Sequence, residues 1–318
     1  MKLPLAPMLA WPTVRLPAAL VLPLLCLLLA LVPDAQAQQR RFSFGVIGQP
    51  DRIGPSEDPL RQALAETDRQ RLAFVVLTGL KSASEPCSDR LYSERREMLA
   101  EARSDIIVSL SASDWAECRR EDGGSAAMNR LEHVREIFFT GPTSIGGARL
   151  PVARQSASAQ FRRFSENMRW EAGGILFGTV NVPGDNNHYK AEAGRNSEFE
   201  DRTIANRVWL KRLAQTASRD RKRALVLFFD GDPRMTAPLR GARPAAGGRD
   251  GYQEFRRQLR ELTAQFPGRV LLVHQPREAG AATGMVWRGN LGELMVGPGW
   301  IRVMFDARTA TFSIAKGS

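Results

Sequence analysis

Short apolar runs alternate along this chain with segments of helical periodicity. Several of the runs lack polar alternation, which is typical of strands covered on both faces. Because helical segments lie between most of these runs, the pattern predicts an α/β fold. The predicted strands are Phe42–Ile47, Leu72–Leu77, Asp105–Leu110, Ile175–Val182, Ala224–Phe229, Arg269–His274, Trp300–Phe305 and Thr309–Ile314, the last two as a hairpin.

Five segments carry apolar residues at helical spacing. The longest, Ser197–Ser218, places Ala205, Trp209 and Leu213 on one stripe, with Arg and Lys on the other face. A Gly- and Pro-rich stretch at 236–251 predicts a mobile loop rather than a domain linker. The predicted helices are Asp58–Gln70, Arg90–Ala102, Ala127–Ile137, Ser197–Ser218 and Tyr252–Phe266.

The amino-terminal segment has the pattern of a secretory signal peptide. Basic residues precede an apolar run at 16–32, and Ala35-Gln36-Ala37 matches the small-residue cleavage pattern. We therefore expect residues 1–37 to be a signal peptide and residues 38–318 to form one domain, exported to the periplasm or secreted, with no transmembrane segment after cleavage. The alternative is an uncleaved membrane anchor, against which two prolines within the run argue.

Charge and cysteine count add two expectations. The formal net charge of +11 falls to +10 after cleavage, and no run of five or more basic residues occurs. We therefore expect a dispersed, solvated basic surface without a specific nucleic-acid motif; an anionic ligand is the alternative, and the partner is otherwise unknown. Cys87 and Cys118 remain in the mature chain, and an even count in an exported protein favours a disulfide between them.

Familiar catalytic motifs are absent from the sequence. It contains no GxxxxGK[ST] loop, no GxSxG and no HExxH. The three histidines, His133, His188 and His274, lie near no residue pattern that would nominate a catalytic triad. His274 ends a predicted buried strand, where we expect a hydrogen-bonded core histidine.

Polar loops follow several predicted strands, where α/β folds place their ligand sites. The sequence has GLKSASEPCSD at 79–89, SASDWAEC at 111–118, ENMRW at 166–170, NVPGDNN at 181–187 and RTIANRVWL at 202–210. In order and spacing, these segments resemble an exported branch of the calcineurin-like metallophosphoesterases, over about residues 42–305. The resemblance implies a central β-sandwich flanked by helices, and it also supports pairing of Cys87 with Cys118.

The resemblance further implies hydrolysis of phosphoesters by two divalent ions that share a bridging aspartate. Carried over position by position, that aspartate falls at Leu80, which cannot bind a metal ion. Two cations without a shared anion repel each other, so we expect no dinuclear centre. The other ligand positions fall at Gln49, Ala112, Ser113, Asp114, Asp230 and Glu278, of which the last three are still acidic.

Three functions remain as hypotheses, and they leave open whether the protein is an enzyme. The first is a catalytically degenerate member of this fold, without a cofactor and with a binding or structural role. The second is a phosphoester hydrolase that uses a single divalent ion at Asp114, Asp230 and Glu278. The third is a basic envelope protein that binds anionic polymers through its Arg-rich surface.

Candidate site residues follow from the same comparison. Asp114 and His188 are the candidates for catalysis. His188 follows a Gly- and Asn-rich loop suited to a tight turn, whose polar side chains could instead line a ligand pocket. The expected cleft residues are Gln49, Leu80, Ser113, Asn186, Asn187, Asp230 and Glu278.

Overall fold

A computed structural model describes residues 41–48, 58–191, 196–235, 249–276 and 283–317. The predicted signal peptide, Gln49, Glu278 and most of the predicted loop at 236–251 lie outside the described residues.

Twelve strands occur in the described ranges, and they form two mixed sheets. They are β1 (Arg41–Ile47), β2 (Val75–Thr78), β3 (Ile106–Ser109), β4 (Ala153–Arg154), β5 (Met168–Ala172), β6 (Ile175–Thr179), β7 (Ala224–Phe228), β8 (Arg269–His274), β9 (Gly284–Arg288), β10 (Leu291–Met295), β11 (Trp300–Asp306) and β12 (Thr311–Lys316). The first sheet has the order β12-β11-β1-β2-β3, and the second has the order β4-β5-β6-β7-β8-β10-β9. Strands β1 to β3 are parallel, as are β6, β7, β8 and β10.

Six α-helical segments accompany these strands in the described part of the chain, besides three short 3-10 turns. They are α1 (Asp58–Asp68), α2 (Asp89–Ala100), α3 (Ala127–Phe138), α4 (Gly184–Asn187), α5 (Ser197–Arg219) and α6 (Gln253–Gln265). The segment α4 is a single short turn, and it lies where the chain leaves β6.

Aromatic side chains join the inner faces of the two sheets. Phe44 lies on β1 and Phe74 directly precedes β2, so both belong to the first sheet side of the core. Their ring centroids lie 5.3 Å and 4.9 Å from that of Phe177 on β6. Trp170 on β5 meets the Phe74 ring edge-on at 5.4 Å. Aromatic pairs of this kind stabilise a core beyond the area they bury. The two sheets therefore face each other as a β-sandwich.

Helices α5 and α6 cover the outer face of the second sheet. Leu213 on α5 and Leu259 on α6 share an apolar cluster with Leu225 and Leu227, which occupy alternate positions of β7. Helices α1, α2 and α3 contribute Leu64, Leu99 and Val134 to the main core, which also includes residues of the first sheet. Helices therefore pack against both halves of the sandwich.

The predicted α/β class is confirmed, as are most of the predicted elements. Helix α5 ends one residue beyond its predicted bound, and its predicted stripe is buried. The predicted hairpin at the carboxyl end forms between β11 and β12. Four strands were not predicted, namely β4, β5, β9 and β10. These are short strands toward the two ends of the second sheet, whose mixed polar and apolar residues carry a weak periodic signal.

Replacing Phe177 with alanine should strongly destabilise the protein. The side chain is fully buried between the sheets, so Phe177→Ala leaves a cavity among rings that cannot collapse freely. We expect the free energy of unfolding to fall by about 3–5 kcal/mol, measured by urea denaturation. The control Val286→Ala removes an exposed side chain on β9 and should change it by less than about 0.5 kcal/mol. Equal effects of the two substitutions would contradict this packing.

Candidate functional site

Loops from both sheets meet at the carboxyl ends of the parallel strands. Asp114, in the loop after β3, accepts a hydrogen bond from the backbone of Leu80 in the loop after β2. Asp230, after β7, accepts hydrogen bonds from the backbones of Ala112 and Gly184, which follow β3 and β6. Two carboxylates thus connect four strand-end loops, and they define the site described below.

Leu80 is a core residue at the position where the resemblance expects a bridging aspartate. Its side chain is fully buried in the main apolar cluster. Its N–H donates to Asp114 Oδ1 at 2.9 Å, and its carbonyl accepts from Arg95 Nε at 3.0 Å. The position therefore offers no side-chain ligand, and its backbone is committed to neighbouring loops.

Both oxygens of Asp114 accept backbone hydrogen bonds. The residue ends a 3-10 turn at Ala112–Asp114, and its side chain is fully buried. Oδ1 accepts from the N–H groups of Leu80 and Lys81 at 2.9 Å and 3.3 Å, and Oδ2 accepts from Ser111 N at 2.8 Å. A carboxylate used in this way satisfies loop N–H groups that burial would otherwise leave unpaired.

Asp230, which follows β7 of the second sheet, likewise accepts hydrogen bonds from loop backbones. Its Oδ2 lies 2.7 Å from Ala112 N and 2.7 Å from Gly184 N. Gln275, which follows β8, donates its N–H to the Asp230 carbonyl and its side-chain Nε2 to the carbonyl of Thr78 at the end of β2. The loop after β8 therefore joins the same edge.

The side-chain hydrogen bond of Gln275 ties the two sheets together. The backbone bond to Asp230 measures 3.3 Å, and the side-chain bond to Thr78 measures 3.0 Å. Because Thr78 belongs to the first sheet and Asp230 follows a strand of the second, Gln275 bridges the two halves of the sandwich at this edge.

Burial sets the protonation of the two carboxyl groups. It raises the pKa of Asp114 to about 7 and that of Asp230 to about 6. Backbone N–H donors oppose the rise at both residues, and the positive charge of Lys81 opposes it at Asp114. Both groups therefore hold protons at a higher pH than exposed aspartates do.

Buried cations lie in the loop after β2. Lys81 is 1% exposed, and its Nζ donates to the carbonyls of Ser82 and Glu85 at 2.9 Å and 2.8 Å. Burial lowers the pKa of Lys81, while Asp114 and Glu85 raise it in part. Arg95 forms a buried ion pair with the Glu85 carboxylate. Ser113 is anchored to the same loop, since its Oγ donates to the Lys81 carbonyl at 2.9 Å.

The segment α4 is a left-handed turn. Four successive residues, Asp185–His188, have φ angles of 48°, 56°, 57° and 53°. Asn186 Oδ1 accepts from Gly251 N at 2.8 Å, and Asn187 Nδ2 donates to Gly251 O at 3.0 Å. The Asn-rich loop predicted as a tight turn is therefore one, and its two asparagines hold the segment that precedes α6. Backbone strain of this kind is concentrated at functional sites.

His188, the last residue of this turn, packs against Trp115. The two ring centroids lie 4.9 Å apart in an edge-on arrangement. His188 Nδ1 is buried and makes no hydrogen bond to any residue within the described ranges. Burial lowers the pKa of His188 to about 4, so the imidazole is neutral at pH 7.

Arg202 is a site residue that the sequence reasoning missed. Its side chain is fully buried, and the guanidinium donates to Glu198, to Asn187 and to the carbonyl of Asn181. A sequence signal was available, because Arg202 precedes Ala205 by three positions and Trp209 by seven, which places it on the apolar stripe of α5.

The predicted disulfide is confirmed. Cys87 and Cys118 are bonded, with their Cα atoms 5.8 Å apart. The bond connects the loop after β2 to the segment after β3, and it therefore reinforces the same junction that Asp114 makes by hydrogen bonding.

The structure brings together Leu80, Ser113, Asp114 and Asp230 at one edge, with Asn187 and His188 on the adjoining turn. Asn186 is exposed on that turn and holds the neighbouring loop. Gln49 and Glu278 lie outside the described residues, so their placement stays a prediction.

The sequence matches no protein-family model and no curated protein. Among the described residues, none of the helices combines the length and the apolar character needed to cross a membrane.

Replacing Asp114 should change how stability depends on pH. The folded pKa of about 7 exceeds the ordinary 3.8, so the folded protein binds more protons than the unfolded chain between these values. The contribution of Asp114 to stability is therefore largest below about pH 4 and falls as pH rises to 7. The unfolding free energy of the wild type minus that of Asp114→Asn should decline over this range, by up to about 1.4 kcal/mol per pH unit.

Denaturation in urea at a series of pH values measures this difference. Asp122→Asn is the matched control, because Asp122 is exposed and its neighbour Arg120 lowers its pKa, so it is already ionised above pH 4. A difference between the wild type and Asp114→Asn that stays constant from pH 4 to 7 would contradict the shifted pKa.

Proposed function

We propose that this chain is an exported protein with a metallophosphoesterase-like fold whose former metal cleft no longer catalyses hydrolysis and which acts through binding. The proposal rests first on architecture. Two facing sheets with helices packed on both halves are the arrangement that the resemblance implies. The loops expected to carry metal ligands leave the carboxyl ends of the parallel strands and contact one another there.

The single observation that carries the proposal is the use of the surviving carboxylates. Asp114 accepts three backbone hydrogen bonds through its two oxygens, and Asp230 Oδ2 accepts two. Asp114 Oδ1 and Asp230 Oδ2 each accept two N–H groups, so a cation bound at either oxygen would have to displace a backbone donor, which would then be buried without a partner. The carboxylates therefore serve as structural acceptors.

Lys81 supplies a second argument. Its buried ammonium attracts Asp114 and belongs to the same loop that carries Leu80. Positive charge at this junction thus comes from the protein itself. A divalent ion placed beside it would be repelled by Lys81 and would lack the carboxylate that Leu80 replaces.

The alternative is a hydrolase with a single ion at Asp114, Asp230 and Glu278. An ion at Asp114 Oδ1 or Asp230 Oδ2 would replace the N–H donors that hold the loops together, so binding there would require those loops to rearrange. Because the hydrolase would require this rearrangement of the loops, a binding function without catalysis is the better proposal.

A second candidate function, binding of an anionic polymer, is favoured by an arginine-lined cavity. The cavity has a volume of about 600 Å³ and is bordered by Arg96, Arg103, Arg149 and Arg154. None of these four guanidinium groups forms an ion pair with a carboxylate in the part of the chain that the structure describes. Burial lowers the pKa of Arg154 to about 10, which still leaves it charged at neutral pH. Such a cavity would attract sulfated or phosphorylated polymers.

Hydrolysis assays test the first proposal. We expect the purified protein to hydrolyse neither an aryl phosphate nor an aryl phosphodiester above the buffer rate, with or without added Mn²⁺ or Zn²⁺. Asp230→Asn, checked for folding by circular dichroism, should give the same result. Hydrolysis that needs the added ion and is lost in a folded Asp230→Asn variant would establish the hydrolase instead.

Heparin binding tests the second candidate. Arg103 and Arg149 are exposed at the cavity, so Arg103→Ala/Arg149→Ala should weaken binding to heparin about tenfold at low salt without unfolding the protein. The control Arg219→Ala/Arg257→Ala removes the same charge from exposed helical positions and should have a smaller effect. Binding should also weaken steeply with added salt. Equal losses in the two double variants would indicate attraction by net charge and reject the cavity as the site.

A further inference from the structure

A second group of ionisable side chains lies on the outer face of the second sheet. Asp232 is in the loop after β7, His274 is the last residue of β8, and Glu293 is the third residue of β10. Strands β8 and β10 are parallel neighbours, and Glu293 pairs with Leu272. Because Leu272 and His274 are two residues apart in one strand, the side chains of His274 and Glu293 project from the same face.

This face is the one covered by helices, opposite to the sandwich interior. Leu272 and Phe229 belong to the apolar cluster of α5 and α6, whereas Val273 and Leu294 belong to the main core. The Phe229 ring stacks on His274, with centroids 5.5 Å apart. His274 and Glu293 therefore point away from the sandwich interior, toward the helices.

The three side chains converge on one point. One ligating atom from each, namely a histidine nitrogen and two carboxylate oxygens, lies within 4.8 Å of the other two. Ligand atoms around a tetrahedral zinc ion are about 3.5 Å apart, so a small inward movement of the side chains would complete a site. Among the described residues, this is the one such group of three His, Cys, Asp or Glu residues.

His274 is oriented as metal-binding histidines are. His274 is a buried, hydrogen-bonded core residue, as expected, but only one of its two ring nitrogens has a hydrogen-bond partner among the described residues. The side chain is 1% exposed, and Nδ1 lies 2.8 Å from the Gln275 carbonyl, to which it can donate. That donation leaves the lone pair on Nε2. Nε2 makes no hydrogen bond to any described residue, and its 3.8 Å distance from Glu293 Oε1 is too long for one.

The two carboxylates are held by the backbone of the loop after β7. Asp232 Oδ1 accepts from Arg234 N at 2.7 Å, and Glu293 Oε1 accepts from Met235 N at 2.9 Å. Such contacts fix the direction of metal ligands. Asp232 is part-exposed, whereas His274 and Glu293 are buried, so an ion could enter from the side of Asp232.

We propose that Asp232, His274 and Glu293 bind one divalent transition-metal ion, with Zn²⁺ the best match to one imidazole and two carboxylates. This donor set suits ions of intermediate softness, and a fourth position stays open for water or a ligand. The bound ion ties together the loop after β7 and strands β8 and β10. It stabilises the folded protein, because the unfolded chain does not hold these three residues together.

Zinc titration of the metal-stripped protein tests the site. We expect one equivalent of Zn²⁺ to bind by calorimetry and to raise the melting temperature. Asp232→Asn should weaken binding at least about tenfold and remove the rise in melting temperature. Since Asn keeps an oxygen for the Arg234 N–H and the residue is part-exposed, this variant should fold. Glu293→Gln provides a second, independent loss of a ligand.

Zn²⁺ binding to two further variants shows which site holds the ion. Asp122→Asn, an exposed control, should bind Zn²⁺ as the wild type does. Asp114→Asn should also retain it, since Asp114 lies at the other site. Absence of stoichiometric Zn²⁺ binding to the wild type would overturn the proposal and indicate that a proton on His274 takes the place of the ion. Binding that survives both Asp232→Asn and Glu293→Gln, or that is lost in folded Asp114→Asn, would also overturn it.

Discussion

The structure depends on two buried aspartates that accept hydrogen bonds from loop backbones. Four strand-end loops meet at one edge of the sandwich, and the loops after β2, β3 and β6 bring N–H groups that no strand partner satisfies. Asp114 and Asp230 together accept five of these groups. Unpaired buried N–H groups are costly, so this arrangement explains how irregular segments of two sheets remain in contact.

The same constraint explains the residues around the two aspartates. A buried carboxylate requires compensating positive charge or hydrogen bonds, and here it receives both. Lys81 and Arg95 lie in or against the loop that carries Leu80, and the Cys87–Cys118 disulfide links that loop to the next. Leu80 fills apolar space in the core. The junction is therefore built from covalent, electrostatic and apolar contacts that reinforce one another.

The two faces of the second sheet carry different chemistry because strand side chains alternate. Phe228 and Val273 point into the sandwich, while Leu227 and Leu272 point toward the helices. Asp230 contacts the loop after β3 in the first sheet, and the group of Asp232, His274 and Glu293 lies on the side of the helices. Residues that are close in sequence thus belong to separate sites.

The amino-acid sequence by itself determined the α/β class, the long helices and the central strands. Apolar periodicity is a local property, so α5 and β8 could be read directly, and the count of cysteines was enough for the disulfide. Short strands such as β9 and β10 were missed, because their burial depends on neighbours in the sheet.

Only the tertiary structure decided what Asp114 and Asp230 do. Ala112 and Asp230 are 118 positions apart, and Leu80 and Asp114 are 34 apart, so no local pattern could show that these carboxylates hold loop backbones. For the same reason, His274 and Glu293 could not be recognised as neighbours before the strand register was known. Residue type sets which chemistry a side chain can offer, whereas the partners it meets are set by long-range packing.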